Sequence, residues 1–376
     1  MKVRSNMCPC GGYHAPWRCP KITLPPVEMK ENFSGPSSGI FVGRLGYPNV
    51  FAGPLGMLGS GLADSPGSWF GMRYSDIIAM RFSVIRSKDR QSVRSREKLV
   101  SDMQELSLAK APTDVEMLFR KKPSRKMTFS PVSQPMGPSA ELKRLTITEN
   151  PKINAKVERI AGDDLKAAQA SSMLYGEGID VYQITNILSS GALGTDKKMV
   201  PTRWSITGTD DMLAKGMMKE IRQFRPISDC MVFSSAFLHN QFEILLMPGS
   251  WEYENFESSP DTGLIVEEYE PFHGRKAYAE KEGGGYYAAR FAVCEALHRM
   301  RRQARVVVFR EIGSGYSVPL GVWQVRENVR NAMRQKTARF STRNEALDYI
   351  GRRLRIPIHE YMRRSAVLQQ RSLTDF

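Results

Sequence analysis

Apolar residues recur along this chain at the spacings of helices and strands. In the segment 180–191 they are spaced for one helical face, which predicts a helix that runs from Asp180 and is stopped by Gly191. Thr342 and Glu345 stand three positions apart and predict a capping box at the start of a late helix.

Shorter patterns predict the remaining elements. Residues 75–76 and 163–164 are expected to cap two further helices, the second of which ends near Gly176. Apolar and β-branched runs predict strands at 115–119, 242–247 and 305–312. This mixture predicts an α+β fold, with a mixed α/β fold as the alternative, built as one large mixed core or as two closely packed domains.

Composition divides the chain of 376 residues into four parts. They are a cysteine-rich head with its connector at 1–35, an N-terminal region at 36–195, a C-terminal region at 196–364 and a flexible tail at 365–376. Glycine and proline are dense between residues 35 and 71, which predicts tight turns there rather than long helices.

The charge is strongly positive. A formal net charge of +15 favours a polyanionic partner, nucleic acid first and an acidic membrane surface second. Residues 290–371 hold 18 Lys/Arg against 6 Asp/Glu, and nearly all of these cations are arginine, whose planar guanidinium suits bidentate phosphate contacts. A second surplus lies in 81–127. A basic surface that only maintains solubility is the alternative.

No apolar run approaches the length that spans a membrane, and the first residues lack the apolar stretch of a signal peptide. We therefore expect a soluble, cytoplasmic protein without a membrane partner, associated with the nucleoid when it is on DNA.

Three cysteines and a histidine cluster near the start of the chain. Zn²⁺ is held by four nitrogen or sulfur ligands in a tetrahedron, so Cys8, Cys10, His14 and Cys19 predict a closed structural zinc site. Disordered free thiols and a redox pair are the alternatives, and a fourth ligand from elsewhere is the alternative to His14. Cys230 and Cys294 stand alone in apolar surroundings and are expected in the core.

Three glycines precede a helical pattern at 283–290. Glycines at a helix N-terminus leave backbone N–H groups open to an anion, so Gly284, Gly285 and Arg290 are candidate phosphate contacts. No Lys-Ser or Lys-Thr follows, which excludes a Walker P-loop. A tight packing turn is the favoured interpretation of these glycines.

The segment 201–211 combines hydroxyls, an arginine, an aromatic residue and paired acids. Arg203 is a candidate phosphate contact, and Asp210 and Asp211 are candidates for catalysis with a divalent ion such as Mg²⁺. Capping of a helix at 209–211 is the favoured interpretation of the acids. Trp204 is able to stack on a base, as are Trp251 and Trp323, although core packing is favoured for each.

The last seven residues place Gln370, Leu373 and Phe376 at spacings of three. In a 3₁₀ turn these positions share one face and form an apolar plug with a polar hook. The pattern resembles the peptide with which archaeal and eukaryotic DNA-processing proteins dock on the sliding clamp PCNA, although it ends in one aromatic residue where such peptides usually carry two. A terminus without a partner is the alternative.

The chain as a whole resembles the archaeal Nre DNA-repair family. The matching motifs include FVGRLGYP at 41–48, SQPMGPS at 133–139, VPTRWSIT at 200–207, LMPGSWE at 246–252, GGYYAAR at 284–290 and PLGVWQVRE at 319–327. Arg44 and Arg326 lie in these motifs and complete the predicted nucleic-acid contacts. The resemblance implies a role in DNA repair with PCNA and DNA as partners, and it implies no particular reaction.

Two classes of function remain open. In the first, the protein is a clamp-tethered factor that binds damaged or branched DNA through an arginine-rich surface and a zinc head. In the second, it is a clamp-recruited nuclease or phosphoester-processing enzyme, with Arg203, Asp210, Asp211 and 283–290 facing one pocket. A nucleotide sensor that uses the same pocket without turnover is a weaker third alternative.

Overall fold

The computed structural model describes residues 28–58, 65–124, 128–130 and 133–369, with the backbone alone at 128–130 and 133–135. It divides into two compact units, Met1–Leu213 with Val318–Leu320, and Ala214–Ser317 with Gly321–Phe376. The described strands are β1 Asn32–Val42, β2 Asn49–Met57, β3 Val84–Ser92, β4 Thr113–Phe119, β5 Thr128–Ser130, β6 Ser133–Met136, β7 Ser139–Ile147, β8 Cys230–Phe237, β9 Asn240–Met247, β10 Glu252–Ser259, β11 Leu264–Glu270, β12 Arg305–Ile312 and β13 Ala338–Phe340.

The described helices are α1 Tyr74–Phe82, α2 Lys98–Leu108, α3 Ala155–Gly162, α4 Ala167–Gly176, α5 Val181–Ser190, α6 Thr202–Ile221, α7 Gly284–Met300, α8 Trp323–Ala332, α9 Arg343–Gly351, α10 Ile358–Met362 and α11 Ala366–Gln369. The α+β prediction is confirmed at this level. Within the described ranges, no helix combines the length and the apolar character that crossing a membrane requires.

The first unit is built on a closed barrel with the strand order β1-β2-β3-β7-β4. Neighbouring strands are antiparallel except β3 and β7, which are parallel. Helix α2 connects β3 to β4. When the barrel strands are counted one to five along the chain, their order is 1-2-3-5-4, which is the connectivity of the Greek-key barrel called the OB-fold.

Alternation along the strands fills this barrel. In β4 the side chains of Val115, Met117 and Phe119 are buried in the barrel core while their neighbours in the chain point outward. Helix α2 contributes Val100 and Met103 to the same core from one of its faces. The barrel therefore forms one apolar core that is closed by a helix.

Helix α5 confirms its predicted range and its predicted stop, and the structure adds its N-cap. The Asp180 side chain accepts hydrogen bonds from the backbone N–H groups of Tyr182 and Gln183, and Gly191 ends the helix with a left-handed φ of 79°. A side chain at Gly191 is excluded, because its Cβ would lie 2.6 Å from the carbonyl carbon of Lys198.

Two predicted caps are wrong. Helix α1 begins after Arg73, so the acid predicted to cap it, Asp76, lies in its first turn and pairs with Arg73 at 2.8 Å. Helix α4 ends at Gly176 as predicted, but its N-cap is Lys166 rather than 163–164. In both helices the N-cap residue lies two or three positions away from the acid that was predicted to cap it: three before Asp76 in α1, and two after Asp164 in α4.

The second unit contains a six-stranded sheet with the order β11-β10-β12-β9-β8-β13. Its strands are antiparallel except for the central pair β10 and β12. Helices α7 and α8 pack on one face of the sheet and α9 to α11 on the other. The predicted strand 305–312 coincides with β12, and 242–247 lies within β9.

The C-terminal helices confirm one prediction and revise another. Thr342 and Glu345 form the predicted capping box of α9. Residues 366–369, which sequence assigned to the flexible tail, form α11 and bury Val367 and Leu368 against the sheet. The described part of the chain is therefore packed as far as residue 369.

Candidate nucleic-acid interface

The outer surface of the barrel on strands β1 to β3 carries aromatic and cationic side chains. Because Val50 and Ala52 point into the core, Phe51 between them points outward. The register of β2 with β3 places Phe51 opposite Arg90 and Leu55 opposite Arg86. We call the outward residues Phe41, Phe51, Arg86, Lys88 and Arg90 the basic face.

Cations lie directly over aromatic rings on the basic face. The Arg86 guanidinium is 4.7 Å from the centre of the Phe41 ring, and Lys88 Nζ is 5.3 Å from that of Phe51. Phe51 remains 39% exposed. Such contacts hold a cation over a ring with about 0.5–1 kcal/mol at exposed sites, so both cations are positioned, although Arg86 and Lys88 are half-buried.

The outward positions of β2 and β3 in this region include no acid. Asp89 is the acid of β3. It lies between Lys88 and Arg90, so its side chain is on the other side of the strand, and it pairs in register with the core residue Ala52. Burial lowers the pKa of Arg86, and the positive charge of Arg81 lowers it further. The basic face therefore has positive charge that its own strands do not neutralise, which favours an anionic ligand.

The loop between β1 and β2 is a tight, exposed turn beside this face. The Gly43 N–H donates to the Phe51 carbonyl at 2.7 Å, and the Tyr47 N–H donates to the Arg44 carbonyl at 3.4 Å. A left-handed φ of 82° at Gly46 allows the turn. Leu45 is 80% exposed and Tyr47 43% exposed, so the loop presents apolar side chains to solvent.

The start of helix α6 is held next to that loop. The Val42 N–H donates to Thr202 Oγ1 at 2.9 Å, which ties the first residue of α6 to the last residue of β1. The Trp204 N–H donates to the Pro201 carbonyl at 2.7 Å and begins the first turn. These bonds place Trp204 against Tyr47, with ring centroids 5.2 Å apart and ring planes at 52°.

We call Tyr47 and Trp204 the aromatic platform. Trp204 is 46% exposed, so the core packing that sequence favoured for it is wrong. Trp251 and Trp323, by contrast, are buried, and for them that prediction is confirmed. Two exposed aromatic rings in contact form an apolar surface of the kind that is found at binding sites.

Two of the predicted phosphate contacts flank the platform. Arg44 begins the turn that ends at Tyr47, and Arg203 precedes Trp204 in the first turn of α6. Both arginines are exposed. Each residue of the platform therefore has an exposed arginine close to it in the chain.

The paired acids lie elsewhere than expected. Asp210 and Asp211 are in the middle of α6, which begins at Thr202, so their interpretation as N-caps is wrong. Asp210 is buried, and adjacent helical residues point about 100° apart, which separates the two carboxyl groups. Among the described residues, no group of three His, Cys, Asp or Glu side chains is arranged to hold a metal ion.

The other predicted contacts belong to the second unit. Gly283 is the N-cap of α7, with a φ of 55°, so Gly284 and Gly285 begin a helix as predicted. Arg290, one turn further, has no exposed surface and forms an ion pair with Glu270, to which Tyr286 Oη also donates at 3.0 Å. Arg326 is 1% exposed. For both buried arginines, contact with phosphate stays a prediction.

A cluster of carboxyl groups lies at the amino end of α7. Arg310 Nη1 donates to Glu257 at 2.6 Å, and Asn255 Nδ2 donates to Glu282. A Cβ at Gly285 would lie 3.3 Å from Glu257 Oε2, so glycine lets this carboxyl group approach the first turn of α7. Burial raises the pKa of Glu282 well above its ordinary range, and the nearby Glu257 raises it further.

The remaining predicted sites fall outside the described residues. These are the zinc ligands Cys8, Cys10, His14 and Cys19 and the clamp-binding residues Gln370, Leu373 and Phe376. Both sites stay predictions. Cys230 and Cys294 are buried as expected, and burial raises the pKa of the Cys294 thiol.

Sequence reasoning missed most of the basic face. A signal was present in β3, where Arg86, Lys88 and Arg90 occupy every second position and so share one face of a strand. No comparable signal marks Phe51 or Tyr47, because their exposure depends on which side of the barrel they face.

Comparison with known proteins identifies relatives of the whole chain. Residues 21–262 match the family described as archaeal Nre, N-terminal, and residues 270–376 match archaeal Nre, C-terminal. The DNA repair protein NreA of Archaeoglobus fulgidus is 38% identical over 96% of this chain and 95% of its own length. NreB of the same organism is 37% identical over 94% of each chain. NreA of Haloferax volcanii is 31% identical over 91% of this chain and 87% of its own. No solved structure matches the chain.

Proposed function

Because the chain belongs to the archaeal Nre family, we propose that it acts in DNA repair as a binding factor that PCNA recruits to DNA. The printed names of its relatives, DNA repair proteins NreA and NreB, support the repair role. In this proposal the barrel of the first unit supplies the DNA-binding surface, and the C-terminal peptide supplies the contact with the clamp.

The basic face is the observation that carries the DNA-binding part of the proposal. It holds three cations on alternating positions of β3, with Phe41 and Phe51 beneath two of them. The outward positions of β2 and β3 there carry no acid, and the exposed Glu141 of the neighbouring strand β7 pairs in register with Lys88. Phosphate contacts made by such cations release condensed counterions and therefore weaken steeply with salt. Arg44 and Arg203 extend the positive surface beyond the strand.

Recruitment by PCNA rests on the pattern Gln370, Leu373 and Phe376 at the end of the chain. The base of this peptide is anchored, since Glu254 accepts hydrogen bonds from the backbone N–H groups of Ala366 at 2.8 Å and Val367 at 3.3 Å. The peptide begins at Gln370, directly after helix α11. A clamp that binds the peptide would therefore be held close to the second unit. Tethering then adds to a modest DNA affinity through a raised local concentration.

The test is salt-dependent binding of labelled DNA to the full chain, measured by fluorescence anisotropy. Lys88→Ala with Arg90→Ala is expected to weaken binding and to reduce the slope of log K against log salt by about 0.9 for each lost contact with duplex phosphate. Lys143→Ala with Arg144→Ala is the matched control, because these exposed cations lie on β7 of the same barrel, beyond its pairing with β3. Equal effects of the two pairs would argue against the basic face.

The carboxyl cluster at α7 supports a second candidate function, a clamp-recruited enzyme that processes DNA or a nucleotide. Two neighbouring carboxyl groups of which one, Glu282, holds its proton more tightly are an arrangement that general acid and base catalysis uses. The predicted cleft of Arg203 with 283–290 stays a prediction, and within the second unit this candidate rests on Glu257 and Glu282.

Turnover of labelled single-stranded, duplex and gapped DNA by the full chain, with and without Mg²⁺, distinguishes this candidate. An enzyme is expected to lose product formation in Glu257→Gln and Glu282→Gln while DNA binding persists. Turnover that survives both substitutions would place the chemistry elsewhere, and absence of turnover in the unmodified chain would favour the binding factor.

A further inference from the structure

The exposed rings of the aromatic platform are available for stacking, but the bases of duplex DNA are not accessible to stack on them. In a duplex the faces of the bases are stacked on one another, and only their edges are accessible in the grooves. An exposed aromatic ring gains stacking energy only from a base that has left the stack. Trp204 and Tyr47 are each more than two-fifths exposed, and their rings touch at an angle rather than closing face to face.

The connectivity of the barrel places the platform at a particular location. In barrels of this connectivity, oligonucleotides lie across the outer face of the second and third strands, between the loop that joins strands one and two and the loop that joins strands four and five. The second and third strands here are β2 and β3, which carry Phe51, Arg86, Lys88 and Arg90. The loop from β1 to β2 carries Arg44 and Tyr47. Independently of the strand order, exposed rings and cations lie on this surface.

We propose that the first unit binds single-stranded DNA, with the phosphates along the basic face and an unpaired base stacked on the aromatic platform of Tyr47 and Trp204. This proposal rests on the DNA binding proposed above and adds the substrate class. In this arrangement Arg44 and Arg203 contact the phosphates that flank the stacked base. Phe51 of the basic face is 39% exposed, and the part of its ring that Lys88 leaves uncovered provides a second contact for a neighbouring base.

The arrangement has a structural reason to be preformed. Trp204 is fixed at the backbone by Pro201, and the start of α6 is tied to β1 by the bond between Val42 and Thr202. Tyr47 is fixed by a four-residue turn. Because the backbone that carries both rings is already ordered, less of the stacking energy is lost to conformational entropy on binding.

The experiment measures the affinity of the full chain for a labelled 12-nucleotide single strand and for the duplex of the same sequence, at one salt concentration. The unmodified chain is expected to bind the single strand more tightly. Trp204→Ala is expected to weaken single-strand binding about 5-fold to 150-fold, the value of one stacked base, and to leave duplex binding within about 2-fold. Trp204→Phe keeps a ring and is expected to restore most of the loss.

Two controls distinguish a loss of base stacking from a loss of folding and from a loss of non-specific apolar contact. Met173→Ala removes another exposed apolar side chain of the first unit, on α4, and is expected to change neither affinity. Thermal unfolding of each variant shows whether the fold is retained, and Tyr47→Ala provides an independent second variant of the platform.

The outcomes test two claims separately: that a base stacks on the aromatic platform, and that the protein binds DNA at all. Selective loss of single-strand binding in Trp204→Ala supports the platform. Equal loss for single strand and duplex, or tighter binding of duplex by the unmodified chain, overturns the platform while DNA binding by the basic face stands. No binding of either DNA by the unmodified chain overturns the proposed function itself.

Discussion

Arg290 and Glu270 form an ion pair without exposed surface in the second unit. Tyr286 donates a further hydrogen bond to the same carboxyl group, and the Arg290 guanidinium lies 5.4 Å and 5.3 Å from the centres of the Tyr286 and Tyr287 rings. The arginine that follows the triple glycine is therefore part of the core of this unit, where its charge is compensated and its carbon chain is packed.

Removing one partner of this pair is expected to destabilise the protein. Arg290→Ala leaves Glu270 buried without its cation, which costs about 3–5 kcal/mol of unfolding free energy. Chemical denaturation of the full chain measures the loss. Arg290→Met with Glu270→Met is expected to recover a large part of it, because the double variant leaves no uncompensated charge. A stable Arg290→Ala protein that has lost DNA binding would instead assign the arginine to phosphate.

Gly191 provides a test of the end of helix α5. Gly191→Ala adds a Cβ at 2.6 Å from the Lys198 backbone in a left-handed conformation, and we expect a loss of about 1–3 kcal/mol. Gly176→Ala is the matched control at the end of α4, where a Cβ would meet nothing within 4 Å and φ is not positive. Thermal shifts of the two variants should therefore differ, and equal shifts would contradict the strain argument.

Glu282 is expected to make stability depend on pH. Its folded pKa is raised by burial above the ordinary 4.5, so the folded state binds more protons than the unfolded state. Its contribution to stability is complete below 4.5 and is lost as the pH rises through the folded pKa. Urea denaturation between about pH 4 and pH 8 measures this loss. Glu282→Gln should flatten the profile, and an unchanged profile would assign the dependence to other groups.

The C-terminal peptide is expected to carry clamp binding alone. Deletion of residues 370–376 removes Gln370, Leu373 and Phe376 and leaves the packed helix α11 in place. We expect loss of PCNA binding in a pull-down or by calorimetry, with unchanged thermal unfolding and unchanged clamp-independent DNA binding. Leu373→Ala with Phe376→Ala is the finer variant. Loss of DNA binding by the deletion would show that the tail has a second role.

The cysteine head is expected to bind one zinc ion. Cys8→Ser with Cys10→Ser removes two of the predicted ligands, and the zinc content measured by atomic emission should fall from about one per chain to near zero, because a tetrahedral site does not persist with half of its ligands. Cys230→Ser changes a buried core thiol and is the control for metal content. Zinc that remains after the double substitution would rule out this ligand set.

Local signals in the sequence were sufficient for several elements. Helix α5 and the capping box of α9 were predicted because each depends on interactions within a few residues, such as the bond between the Thr342 hydroxyl and the Glu345 N–H. Strand β12 was predicted from its run of apolar and β-branched residues, although its hydrogen bonds go to β9 and β10. The positive charge and the family motifs could also be identified from the sequence alone. Local elements of this kind depend mainly on hydrogen bonds and spacings within their own segment, so the sequence is enough to predict them.

The candidate interface depended on tertiary structure. Trp204 and Trp251 have similar polar neighbours in sequence, yet one is exposed and the other buried, because exposure is set by what packs against each element. Arg203 and Arg290 likewise both stand in the first two turns of a helix, and only Arg203 faces solvent. Phe51 meets Lys88 through the register of β2 with β3, which closure of the barrel determines. The sequence by itself determined the features that are encoded locally, such as helix α5 and the capping box of α9, and the cationic character of this protein. The barrel decided which aromatic and cationic side chains share a surface, since strand pairing and burial are set by contacts between residues distant in the chain.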